Sequence, residues 1–333
     1  DASSSDGNIT AQSITLSGGT FDAPSHGTVT TTAQNVGGWC FYQTGGTFNA
    51  NAGTLKVDFG AAGAGHFNFH RPHNLTIEMY NNSSSTDYRD YTGNTVTITG
   101  DLTIEMYNSG SSTVYRDYTG NTVTITGDLT IVEGFFKGDN STDTLEVQGN
   151  VSIQNGGTLN QVSDTRDVDL KSLAIDNGGT YNATSGTTTI TGENGDYAFS
   201  NSGTFNHNKG KMKIDFNAGT RLLNNTYYDL EINMDSASHE VDLLDTSGNA
   251  IDILNDLIVT QGRLTSATTT DSIDIHGLTN IAANGTCWHD ADQATNKITH
   301  HGLVTNLGTY KINTGTTVKM NGGIRQLNTL TID

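Results

Sequence analysis

The chain has 333 residues, of which 33% are hydrophobic and 15% charged, with 39 glycines and two prolines. Its formal charge of −19 excludes a nucleic-acid partner, which needs a basic surface, and argues equally against an anionic membrane face. No apolar run is long enough to insert into a membrane, and Cys40 and Cys287, 247 residues apart, read as two free, buried thiols.

So polar a composition can signal disorder. Two features oppose that here: the apolar residues recur at regular spacing, and many are β-branched or aromatic, which suits strands. From the N-terminus, Ile14 and Phe41 stand 27 residues apart. Each is followed by a Gly-Gly-Thr-Phe, at Gly18–Phe21 and Gly45–Phe48. Next, Leu55, Val57 and Phe59 alternate with polar residues, the period-2 pattern of a half-buried strand.

A tandem duplication follows. Residues 75–101 and 102–128 are near-identical at an offset of 27, both opening Leu-Thr-Ile-Glu-Met-Tyr-Asn. The Leu-Thr-Ile core then weakens through Leu129, Val151 and Leu173, at steps of 27, 22 and 22. It returns at Leu230, Leu257, Leu278, Leu303 and Leu330. The Gly-Gly-Thr corner recurs at Gly156–Leu159 and Gly178–Tyr181. A longer match pairs residues 46–59 with 203–216, and both run on toward a Leu-x-Ile segment. No 3.6-residue periodicity is sustained, so helix is not expected.

One such coil cannot bury its inward residues alone. Stacked on its neighbours it buries a continuous apolar column and pairs its backbone groups above and below. The pattern therefore predicts an all-β fold, a parallel β-helix of about 13 coils with a 21–27-residue period, continuous over 1–333. At roughly 4.8 Å per coil it would be about 60 Å long. A sandwich or propeller also uses short strands with glycine turns. The varying period with a constant core motif favours the solenoid. The chain starts with Asp1, and Leu330–Asp333 stop midway through a motif that elsewhere continues, which reads as a processed product or one piece of a longer chain.

The recurring Gly-Thr-Phe, then Val/Ile-x-Phe, then Asn/Asp-Leu-x-Ile resembles β-strand-repeat proteins of bacterial surfaces and phages. The residues that carry the resemblance are Gly46–Phe48, Val57, Phe59 and Leu75–Ile77, and again Gly203–Phe205, Ile214, Phe216 and Leu230–Ile232. The resemblance implies an extracellular, cell-surface or virion-borne shaft: a tail fibre, tailspike or adhesin. It also implies self-association, as a homotrimer for tailspikes, and a host surface glycan as partner. It implies no catalytic residue.

The duplicated coils create candidate sites. Glu78 is expected above Glu105, and carboxylates about 5 Å apart match the spacing of retaining glycosidases. They also suit Ca2+, which prefers oxygen ligands. In the third coil Val132 takes the glutamate's place. Tyr88 is expected above Tyr115. With Tyr91 and Tyr118 these tyrosines make the aromatic row that could hold sugar faces, or else pack between coils. His66 and His70 share one strand face and carry imidazoles suited to a transition metal, though at no recognised metal spacing. Threonine runs such as Thr95–Thr99 invite comparison with ice-binding faces, but threonine is common on outward strand faces. No nucleophile-base arrangement, phosphate loop or dinucleotide fingerprint is present.

Overall fold

In the computed structural model the described residues are 7–32, 38–59, 66–68, 73–79, 85–88, 96–106, 113–116, 122–138, 144–161, 165–223, 225–244, 251–266, 272–289, 297–312 and 317–332. Every regular element among them is a β-strand, and every registered strand pair is parallel. The fold is a β-solenoid of stacked coils spaced by about 23 residues. Contacts group the chain into two compact units, 1–168 with 175–182, and 169–174 with 183–333.

In the first unit one column runs Ile9, Val29, Leu55, Leu75, Leu102, Leu129, Val151, each residue in register with the next. From Val29 onward its members are at most 3% exposed. Fully burying a side chain of this size contributes about 1.5–3 kcal/mol. The column exists only because coils stack, so the inward positions of one coil depend on the next. A neighbouring column runs Val96, Val123, Leu145, and a third Phe136, Leu159, Tyr181. The two Gly-Gly-Thr-Phe segments also stack, with Phe21 over Phe48 at a centroid distance of 5.8 Å.

In the second unit the equivalent column runs Thr188, Met212, Leu230, Leu257, Thr279, Val304, Ile324. Leu278 and Leu303 therefore do not continue the Leu-x-Ile column, contrary to the sequence reading. Leu278 is 53% exposed at a corner, and the inward slot passes to Thr279, which is 1% exposed. Leu330 belongs to a different column, in register with Tyr310.

The long sequence match has a structural counterpart. Thr54–Phe59 lies directly beside Asn74–Met79, and Lys211–Ile214 directly beside Asp229–Asn233. These are short coils, with Leu55 to Leu75 a step of 20 and Met212 to Leu230 a step of 18. The shared Lys-x-Asp places Lys56 beside Asp58 and Lys213 beside Asp215, each an outward ion pair two residues apart.

The Asn or Asp ahead of Leu75, Leu102, Leu129, Val151, Leu230 and Leu257 is explained by the corner it occupies. The Asp101 N–H donates to Asn74 Oδ1 at 3.0 Å, the Asp128 N–H to Asp101 Oδ1 at 2.9 Å, and the Asn150 N–H to Asp128 Oδ1 at 2.7 Å. The second unit repeats this from Asp229 to Asp256 to Leu278. Each side chain thus satisfies a corner N–H of the next coil that the strand ladder leaves unpaired. One residue earlier, Gly100, Gly127 and Gly149 stack so closely that a Cβ on Gly149 would overlap the Gly127 carbonyl. Glycine is required there by proximity, since none of these three has a positive φ.

Candidate functional site

Of the residues singled out from sequence, Tyr91, Tyr118 and His70 lie outside the described residues. For Tyr88, Tyr115, Glu78, Glu105 and His66 the backbone alone is described. That backbone corrects one expectation. Asp87, not Tyr88, is in register with Tyr115, because this strand pair is offset by 28 residues while the flanking pairs keep 27. Tyr88 takes the register position of Phe67, itself in register with the buried Phe41. Tyr115 is in register with Lys137. The two tyrosines do not share a register position. His66 is in register with Trp39 and Asp87.

The glutamates do align. Glu78 is in register with Glu105, and the column extends both ways, to Asp58 before and Glu133 after. The sequence reading stopped at Val132. A β-bulge opposite Ile104–Glu105 skips that valine and brings Glu133 into line. Asp58, Glu78, Glu105 and Glu133 thus occupy one column of register positions in the first unit. Successive rungs lie about 4.8 Å apart, so like charges there repel unless a cation or basic side chain intervenes.

The second unit carries an open cleft of about 210 Å³ lined by Glu193, Asp196, Thr220, Arg221, Glu240 and Asp242. Arg221 reaches Asp196 at 3.1 Å and Asp242 at 4.0 Å, offsetting part of the negative charge. The strand Thr220–Leu223 positions Arg221 because its neighbour Leu222 turns inward, 1% exposed. Nearby, His239 Nδ1 and Asp235 Oδ1 pair at 2.8 Å in an exposed turn that also holds Ser236 and Ser238. The two serine hydroxyls bond to each other at 2.9 Å. This pair orients an imidazole but brings it no serine in hydrogen-bond contact.

A chain of hydrogen bonds is buried where the leucine pattern fails. Thr279 Oγ1 lies 2.7 Å from His300 Nδ1, and His300 Nε2 lies 2.7 Å from the Tyr310 hydroxyl. Thr279 is 1% exposed and the other two are fully buried. Burial pushes the His300 pKa down to about 4, with the neighbouring His301 charge adding to the effect. Cys287 is in register with Tyr310, is fully buried, and has its thiol pushed up to about 12 by burial. Cys40 is likewise buried and pushed up to about 12, and neither cysteine is in a disulfide, as the sequence predicted.

On the face above this network, His276 and His301 stack at 4.9 Å. Each leans toward the aspartate of the preceding coil, Asp252 and Asp274, at 3.8 Å. Among the described residues no three His, Cys, Asp or Glu side chains are arranged to hold a metal ion. Sequence reasoning missed the buried network because its members are distant in the chain; a threonine in a leucine slot was the available signal. No family model, curated protein or solved structure matches this chain.

Proposed function

We propose that this chain is a non-enzymatic structural and attachment module displayed on a virion or cell surface, most closely a phage tail-fibre or tailspike-like shaft that engages a host surface glycan. The parallel register carries the reading. A scaffold that grows by adding coils, with glycine and Asx corners recurring along the stack, suits a spacer and leaves its outward faces free to vary. The strong negative charge keeps such a surface soluble and discourages contact with nucleic acid. Glycan contact is assigned to Tyr91, Tyr115 and Tyr118 in the duplicated coils, and calcium to the acidic column through Glu78 and Glu105.

A glycan array probed with and without calcium tests both assignments. Retention on a host polysaccharide, weakened at least tenfold by Tyr115→Ala/Tyr118→Ala, is the expected result. Chelation weakens wild type, and Glu105→Gln removes that sensitivity. Binding indifferent to the tyrosines and to calcium sinks both assignments.

A second reading, a polysaccharide hydrolase or lyase, draws on the carboxylate-lined cleft around Arg221. Its mark is release of new sugar ends from the bound polysaccharide, lost in Glu240→Gln/Asp242→Asn. Intact polysaccharide after prolonged incubation removes it.

A further inference from the structure

We propose that the Thr279–His300–Tyr310 chain is an acid-sensitive lock on the C-terminal coils of the second unit, closed while the imidazole is neutral and released when it takes a second proton. The geometry supports this directly. His300 sits in a column otherwise apolar, in register with Ile275 on one side and Met320 on the other, and Ile275 in turn with Ile253. Its two ring nitrogens each meet a hydroxyl at 2.7 Å. A neutral ring donates from one nitrogen and accepts at the other, and both hydroxyls can complete such a chain. Protonation makes both nitrogens donors. The Thr279 and Tyr310 hydroxyls must then both accept, and the chain carries a charge away from solvent.

Among the described residues the surroundings offer that charge no acidic partner. Among the described side chains, the inward titratable group on Thr279–His289 is Cys287, and on Val304–Ile312 it is Tyr310; burial holds both neutral. On Ser272–Ile275 the one carboxylate, Asp274, lies at an outward position of the alternating strand, where His301 meets it. On Thr317–Met320 the charged residue is Lys319, also off the inward register. The adjacent His301 adds repulsion when it too is protonated. Among the described inward positions there is no acidic side chain.

The direction of the pH effect follows. An unfolded histidine titrates near 6.5, whereas this folded one holds its proton only below about 4. Between those values the open chain binds more protons, so the stabilisation is complete above about pH 6.5 and is lost as pH falls toward 4. The unfolding equilibrium should shift on the order of a hundredfold across that window through this ring alone.

Urea unfolding of the full chain at pH 7.5 and 4.5, with hydrogen exchange followed in peptides spanning residues 279–312, reads this out. Wild type should lose protection there on acidification. His300→Gln, which keeps hydrogen-bonding capacity without titrating, should lose on the order of a hundredfold less. Equal acid sensitivity in both chains overturns the lock. If His300→Gln does not fold, imidazole NMR of the wild type decides. A ring still neutral in folded protein at pH 5.5 upholds the proposal, and a ring that titrates near 6.5 with the coils still protected overturns it.

Discussion

The Asn or Asp ahead of a Leu-x-Ile, as at Asp101 and Asp128, shows how one residue type is fixed by the coil after its own. Asp128 accepts from the Asn150 N–H at 2.7 Å while its own N–H donates to Asp101. The side chain acts between coils, so the sequence repeats it at Asn74, Asp101, Asp128 and Asn150, and again at Asp229 and Asp256. Asp128→Ala removes that acceptor and should cost about 1 kcal/mol in urea unfolding, whereas Asp128→Asn keeps an acceptor oxygen and should cost much less. Equal costs for the two variants would mean that charge, not the hydrogen bond, holds the corner. Thr279 shows the reverse case. It stands where the pattern calls for leucine, and its hydroxyl is tolerated there because His300 meets it. By spacing alone Leu278 is the core residue of its coil. The backbone instead puts it at the corner, where its N–H donates to Asp256.

At the scale of the element, period and register separate. Period-2 alternation identified the strand Thr54–Phe59, and the match of 46–59 with 203–216 the strand Lys211–Ile214; Leu55, Val57, Met212 and Ile214 are all buried. The duplicated Leu-Thr-Ile pair fell into register at its full offset of 27. Register failed to follow sequence wherever the backbone gains or loses a residue. The bulge at Val132 brought Glu133 into the acidic column, and the 28-residue offset at Asp87–Tyr115 put Tyr88 and Tyr115 at different register positions. A residue inserted between strands reverses which face a side chain takes, and alternation within one strand does not report it. The corners can be tested separately. Gly149→Ala drives a methyl into the Gly127 carbonyl, whereas Gly18 has open space around it. Gly149→Ala should destabilise by about 1–3 kcal/mol, and Gly18→Ala should stay within about 0.5 kcal/mol. Similar unfolding midpoints for the two would contradict the close stacking of corners.

For the whole molecule, fold class was legible because a solenoid writes its architecture as repetition, and repetition survives changes of coil length. Function was not legible to the same degree. The outward residues that meet a partner are free of the inward constraint, and nothing in the period distinguishes a sugar-binding tyrosine from a packed one. The buried histidine network was hidden for a different reason: Thr279, His300 and Tyr310 come from three strands of two successive coils and meet only because those coils stack. A shaft that presents a glycan-binding surface is expected to work as an assembly, and the exposed faces of stacked coils are where chains of a trimer would meet. Sedimentation equilibrium of the purified chain is the most direct test of the attachment-shaft account. The account predicts a single species at three times the chain mass, stable on dilution. A monomer across the whole concentration range, or open-ended polymers without a limiting mass, would contradict it.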